Sequence, residues 1–265
     1  MAGSLQAVFQ NQRSFGAPPG SQSYTTPGTY TWVAPAGVTK VSIVAVGAGQ
    51  GGSGSTCDAG RGAGGLGYKN NISVISGNSY TVVVGNNPAG GCYPGQSYFI
   101  NNTTVAGKGG CGNSGGTYVG CGGGNGGNGG NGGGGAGGYS GAGGNGGGYY
   151  GGAAGSGGGG GGGGTTVLGC YAAHGSGGGV GIFGQGCSGA ASGGYFACGG
   201  TYGRGGSGGA NGVSVETCSA PKGGNYGGGG GASYGGANTK GGSGAVRIVY
   251  PGNTRQFPST CVGSP

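Results

Sequence analysis

Ninety of the 265 residues are glycine, and between Lys108 and Gly244 they recur with a period of three. Asn125, Asn128 and Asn131 are each separated by Gly-Gly, and Ala136, Tyr139, Ala142 and Asn145 keep that spacing apart from Ser140. Tyr234, Ala237, Lys240 and Ser243 keep the three-residue spacing later in the chain, with Asn238-Thr239 in place of one Gly-Gly. A period of three is neither the 3.6 of an α-helix nor the 2 of a strand. It is the repeat of the left-handed polyproline-II-type helix. In such a helix two glycines face neighbouring helices and the third residue faces out. The spacing therefore predicts rods packed through their backbones. An inward position such as Gly127 should reject a bulky side chain, and outward Asn128 should accept serine.

Collagen shares the glycine content, but its G-X-Y frame is unbroken and rich in proline. Here the frame slips between Asn131 and Ala136, and there are only ten prolines. Flexible coil is the other reading of glycine-rich sequence, and the β-like flanks argue against it. Only 32% of the chain is apolar, enough for a side-chain core over roughly the first hundred residues. Ordering glycine carries a large entropic cost. Backbone N–H···O=C bonds between rods, with weaker Cα–H···O contacts, must offset it.

The formal charge is +8, from 10 basic and 2 acidic residues. The basic residues are scattered from Arg13 to Arg255 without a run, which argues against directed nucleic-acid binding. A diffuse positive field suits a polyanionic surface. Asp58 and Glu216 are the only side-chain carboxylates and His174 the only histidine. Neither a carboxylate pair nor a nucleophile–base pair is legible. The glycine loops lack the G-K-[ST] of a phosphate loop. The chain is expected not to be an enzyme and to need no cofactor. Nine cysteines, with no C-x-x-C, speak against a zinc site. Their odd number leaves at least one unpaired within the chain; disulfide staples and buried thiols both stay open. Met1–Arg13 lacks the features of a signal peptide, and no window approaches a membrane span.

Strand signals cluster at the two ends of the chain. GTYTWV (28–33) alternates, and TKVSIVAVG (39–47) places Val41, Ile43 and Ala45 on one face and Val44 and Val46 on the other. Apolar residues on both faces predict a strand covered on both sides. Further strands are expected over 72–75, 80–84, 97–100 and 103–106, the last two joined by an Asn101-Asn102 turn. Trp32 and Tyr30 anchor this core. AVRIVY (245–250) is a strand far from the others, expected to return to the N-terminal sheet. The expected fold is all-β with almost no α-helix. It comprises a small antiparallel β-sandwich-like module over 28–108, completed by 245–250, and a bundle of polyglycine-II helices over 109–244. Residues 1–27 read as a docking arm or an edge strand, and 251–265 as an extended tail.

TYTWVAPAGVTKVSIVAVGAGQGG (29–52), GNSYTVVVG (77–85), GQSYFI (95–100) and GGSGAVRIVYPGNTRQFPST (241–260) resemble the glycine-rich domain of tailed-bacteriophage tail fibre and virion structural proteins, those of cyanophages included. The resemblance covers about 30–108 and 241–260 well and the middle by composition. It implies a virion protein, assembled in the host cytoplasm and exposed after lysis. Its partners would be other virion proteins, copies of itself and a host receptor, protein or polysaccharide, without nucleic acid or membrane insertion. It also implies variable loops at the far end of a polyglycine bundle. On that basis Tyr149, Tyr150, Tyr171, His174, Phe183, Tyr195 and Phe196 are receptor-contact candidates, and Val8, Phe9, Arg13 and Phe15 are virion-docking candidates. The alternative is a head, baseplate or fibre-body component without receptor contact. Ice binding fits less well, because the outward residues include Asn, Tyr, Lys and Arg rather than a regular Thr face.

Overall fold

The computed structural model describes residues 17–52, 60–87, 95–148, 151–164, 174–193, 201–213, 222–232 and 239–259. Among them there is no helix. Ten strands are present: β1 (Gly20–Tyr24), β2 (Gly28–Val33), β3 (Lys40–Val46), β4 (Leu66–Ser73), β5 (Ser79–Val84), β6 (Ser97–Phe99), β7 (Asn101–Gly107), β8 (Tyr118–Val119), β9 (Gly122–Gly124) and β10 (Ala245–Tyr250). They form two five-stranded antiparallel sheets, ordered β1-β10-β3-β4-β9 and β2-β5-β6-β7-β8. The chain is therefore all-β.

Alternation decides the layers. Val41, Ile43 and Ala45 of β3, with Val246 and Ile248 of β10, face the second sheet. There they meet Trp32, Val82, Phe99 and Val105. Trp32 is buried and holds Phe99 edge-on at 5.8 Å, while half-buried Tyr30 packs at the margin. The other face of the first sheet carries Val44, Val46, Leu66, Ala245 and Val249. Ala136, Tyr139, Val180 and Ile182 of the glycine region and Phe257 cover it. β3 is thus apolar on both faces because it is the middle layer of three. Each fully buried apolar side chain contributes about 1.5–3 kcal/mol.

β10 lies between β1 and β3, with Ile248 opposite Gln22 on one side and Ile43 on the other. The last strand therefore completes the first sheet, as its alternation requires. The described end of the leader, Gly20–Tyr24, is an edge strand. Residues 251–259 turn back rather than extend: Gly252 N–H donates to Lys40 O at 2.8 Å. Phe257 N–H and O bond the Asn70 side chain at 3.0 and 2.7 Å. The turn expected at Asn101-Asn102 falls one residue earlier, on Ile100, whose φ is 66°. Asn101 instead uses its Oδ1 to accept from the N–H groups of Thr103 and Thr104, at 3.1 and 2.8 Å.

Beyond β9 the chain runs to and fro in glycine tracts that carry almost no strand or helix. Their backbone groups bond neighbouring tracts: Gly135 N–H to Gly144 O, Gly144 N–H to Gly160 O, Gly160 N–H to Ala136 O, and Ala136 N–H to Gly178 O, all at 2.8–2.9 Å. Asn125, Asn128, Ala142 and Asn145 are exposed, as the outward third position should be. Ala136 and Tyr139, in the same register, are fully buried. Their tract is enclosed by others, so no position on it faces out.

Candidate functional site

Tract directions alternate, and this gives the glycine region two unlike ends. Tracts 133–138, 151–155, 175–181, 201–206 and 222–224 run toward the sheets; 142–148, 159–164, 185–193, 209–213 and 227–232 run away. At the sheet end the connections are short turns around 139–141, 156–158, 182–184, 206–208 and 225–227. Tight reversal needs positive φ, and Gly157 (52°), Gly158 (81°), Gly208 (76°) and Gly227 (93°) supply it. Several of these turns are also packed down. Tyr139 stacks on Phe257 at 5.9 Å. Its hydroxyl donates to Gly181 O and accepts from Gly184 N–H, both at 3.1 Å. Burial raises the Tyr139 phenol pKa, the Gly184 hydrogen bond opposing it.

At the far end the residues bordering six connections lie side by side. Asn131 N–H bonds Gly147 O (3.0 Å), Gly147 N–H bonds Gly163 O (2.9 Å), and Gly164 N–H bonds Thr201 O (2.7 Å). Ser176 N–H reaches Val213 O (3.3 Å), and Val213 N–H reaches Lys222 O (3.2 Å). Ala232 N–H bonds Asn131 O (3.4 Å), and Thr239 N–H bonds Gly52 O (3.1 Å). Thr201 Oγ1 donates to Gly193 O. Connections 53–59, 149–150, 165–173, 194–200, 214–221 and 233–238 all begin and end here.

The candidate residues divide accordingly. Tyr149, Tyr150, Tyr171, Tyr195 and Phe196 belong to these connections and lie outside the described residues, as do Val8, Phe9, Arg13 and Phe15. His174 borders the same end and is buried, and burial pushes its pKa below the usual imidazole value. Phe183 is at the opposite, sheet end. It is 56% exposed and rests on the Arg247 guanidinium, 4.3 Å from ring centroid to Cζ. Arg247, which periodicity marked only as a strand residue, is fully buried on the outer face of the first sheet. It donates to Ile182 O (3.4 Å) and Ser21 Oγ (3.3 Å), and its Nε has no hydrogen-bond partner among the described residues. Burial lowers its pKa; Tyr139 opposes this shift and neighbouring Arg255 adds to it.

No cluster of three or more His, Cys, Asp or Glu occurs among the described residues. Cys121 and Cys187 carry free, exposed thiols; Cys111 is exposed as well. A cavity of about 290 Å³ at the far end of the sandwich is lined by Ala17, Gly37, Thr39, Lys40, Pro251, Asn253 and Thr254. It offers no nucleophile–base pair. Among the described residues no helix is long and apolar enough to cross a membrane.

A β-sandwich whose strands run into a backbone-bonded glycine region defines the class: an all-β glycine-rich domain protein. The family model described as "Glycine-rich domain" matches residues 25–251, and the chain belongs to that family. No curated protein matches the sequence.

Proposed function

We propose that this chain is a structural protein of a bacteriophage virion, a tail fibre or adhesin subunit that contacts the host surface. The glycine tracts would be polyglycine-II rods; glycine φ and ψ near about −75° and +145° in a high-resolution experimental structure would establish this. The observation that carries the functional reading is the polarity of the bundle. One end is closed by short turns packed on a sheet, and six connections converge at the other. Loops on a stiff scaffold are how proteins commonly present binding residues. Held there, Tyr149, Tyr150, Tyr195 and Phe196 would offer aromatic anchors at small ordering cost. His174 and the backbone at the base of the loops would position them. The sandwich and the leader would face other virion proteins. The reading assigns no catalytic role and no cofactor.

Replacing Tyr149, Tyr150, Tyr195 and Phe196 with serine in the virion is expected to weaken host adsorption while particles still assemble. Unchanged adsorption, or electron microscopy placing these residues against neighbouring subunits, favours the non-receptor structural role instead.

A further inference from the structure

The bundle's two side walls differ in charge. On one, tracts 125–131, 142–148 and 151–155 expose Asn125, Asn128, Ala142, Asn145, Ala153 and Ala154, all neutral. The other is built from tracts 201–206, 209–213, 222–224 and 239–244 in that lateral order. Gly212 N–H bonds Gly203 O (2.9 Å), Val213 N–H bonds Lys222 O (3.2 Å), and Gly223 N–H bonds Lys240 O (2.8 Å). This wall exposes Arg204, Lys222 and Lys240, with exposed Asn211 on the tract between Arg204 and Lys222 and Tyr202 37% exposed near Arg204. The chain has two side-chain carboxylates, Asp58 and Glu216, the second in the 214–221 connection between Val213 and Lys222.

We infer that this wall binds an acidic polysaccharide, one bearing about one carboxylate or phosphate per sugar. Hydrogen-bonded backbones lie about 5 Å apart. Lys222 and Lys240, on adjoining tracts, are therefore spaced about one tract, and Arg204 stands two tracts from Lys222. This is a sparse row of cations. Duplex DNA carries one negative charge per about 1.7 Å and would leave most of its phosphates unmatched here. A glycan with one anion per ring suits the spacing, and its hydroxyls suit the amide nitrogen of the intervening Asn211, whose Oδ1 accepts from Gly205 N–H at 2.9 Å. Tyr202 provides an apolar face for a sugar ring. The hydrogen-bonded backbones fix the row, so little order need be lost on binding. The inference takes its biological setting from the adsorption role proposed above, but the binding belongs to the isolated chain.

The test uses the full chain, with alginate as the probe, neutral dextran and duplex DNA for comparison, and calorimetry at about 0.1 M salt, where long-range attraction is screened. Alginate is expected to bind and dextran not. The triple variant R204Q/K222Q/K240Q should weaken alginate binding at least about tenfold. The variant K40Q/K69Q/K108Q removes the same formal charge from the sandwich and its junction with the glycine region and should change it less than about twofold. Unaltered thermal melting of both variants shows that folding is intact. Absence of alginate binding, equal loss in the two variants, or DNA binding tighter than alginate through the same three residues overturns the assignment. Alginate binding by the chain with unimpaired adsorption of the aromatic-to-serine virions would sink the adhesin role and leave the wall standing. Impaired adsorption without alginate binding does the reverse.

Discussion

A Cβ added to Gly127 would lie 2.1 Å from the carbonyl oxygen of Gly144, a backbone atom held by its own hydrogen bonds. A Cβ on Gly148 meets no described atom within 4 Å. Gly127→Val is therefore expected to cost about 3 kcal/mol or more, at the upper end of overpacking. Gly148→Val should stay within about 0.5 kcal/mol. Urea unfolding of the two variants separates them, and equal stability would refute backbone packing. Asn128 does more than face solvent. Its Oδ1 accepts from Gly115 N–H at 2.9 Å, and its own N–H donates to Asn145 Oδ1 at 2.8 Å. Asn128→Ser loses the first of these bonds, a cost of about 1 kcal/mol. His174 is the only histidine, and burial depresses its folded pKa. The unfolded chain then binds more protons as pH falls through about 6.5, so stability is full above that value and declines below it. The melting temperature should drop between pH 7.5 and pH 5, and His174→Gln should flatten the drop. A histidine NMR titration centred at or above the free value would contradict this.

At the scale of elements, β10 is the keystone. It supplies Val246 and Ile248 to the sandwich core and Ala245 and Val249 to the outer core. It also pairs with both β1 and β3. Ending the chain before Ala245 strips two strands of a partner and opens both cores. Such a fragment should lose cooperative unfolding and the fixed tertiary signal of Trp32; a folded 1–240 fragment would refute the role. Arg247 on the same strand holds two other pieces: the edge strand through Ser21, and the 182–184 turn through Ile182 O and the exposed Phe183 ring. Phe183 therefore clamps the sheet end of the glycine region.

Across the whole molecule, two kinds of cohesion meet. The sandwich is held by apolar side chains, and the glycine region by hydrogen bonds between backbones that approach because no Cβ intervenes. The second kind is collective, since each tract needs neighbours on several sides. Tract 159–164 bonds tracts 133–138, 142–148, 175–181 and 201–206, and it is buried throughout. The gain in rigidity suits a scaffold that presents connections at one end, and the adsorption and alginate experiments address its two surfaces separately.

The local pattern settled the kind of structure. Alternation at Val41–Val46 demanded a strand covered on both faces and that at Ala245–Tyr250 a sheet to join, and the lack of a 3.6 repeat agrees with the absence of helix among the described residues. Period three occurs on tracts of both kinds: Asn125, Asn128 and Asn145 face out, whereas Ala136 and Tyr139 lie in an enclosed tract. Where it lapses, at the eight glycines 157–164, the chain is interior and every position meets a neighbour. That distinction is not legible locally, because a spacing describes one tract and says nothing of how many others surround it. The same limit hid the burial of Tyr139, the position of Phe183 at the sheet end, and the row of Arg204, Lys222 and Lys240. Their placement follows from the order in which a dozen tracts reverse. That order is set by turn positions and long-range backbone bonds, which only the tertiary structure brings together.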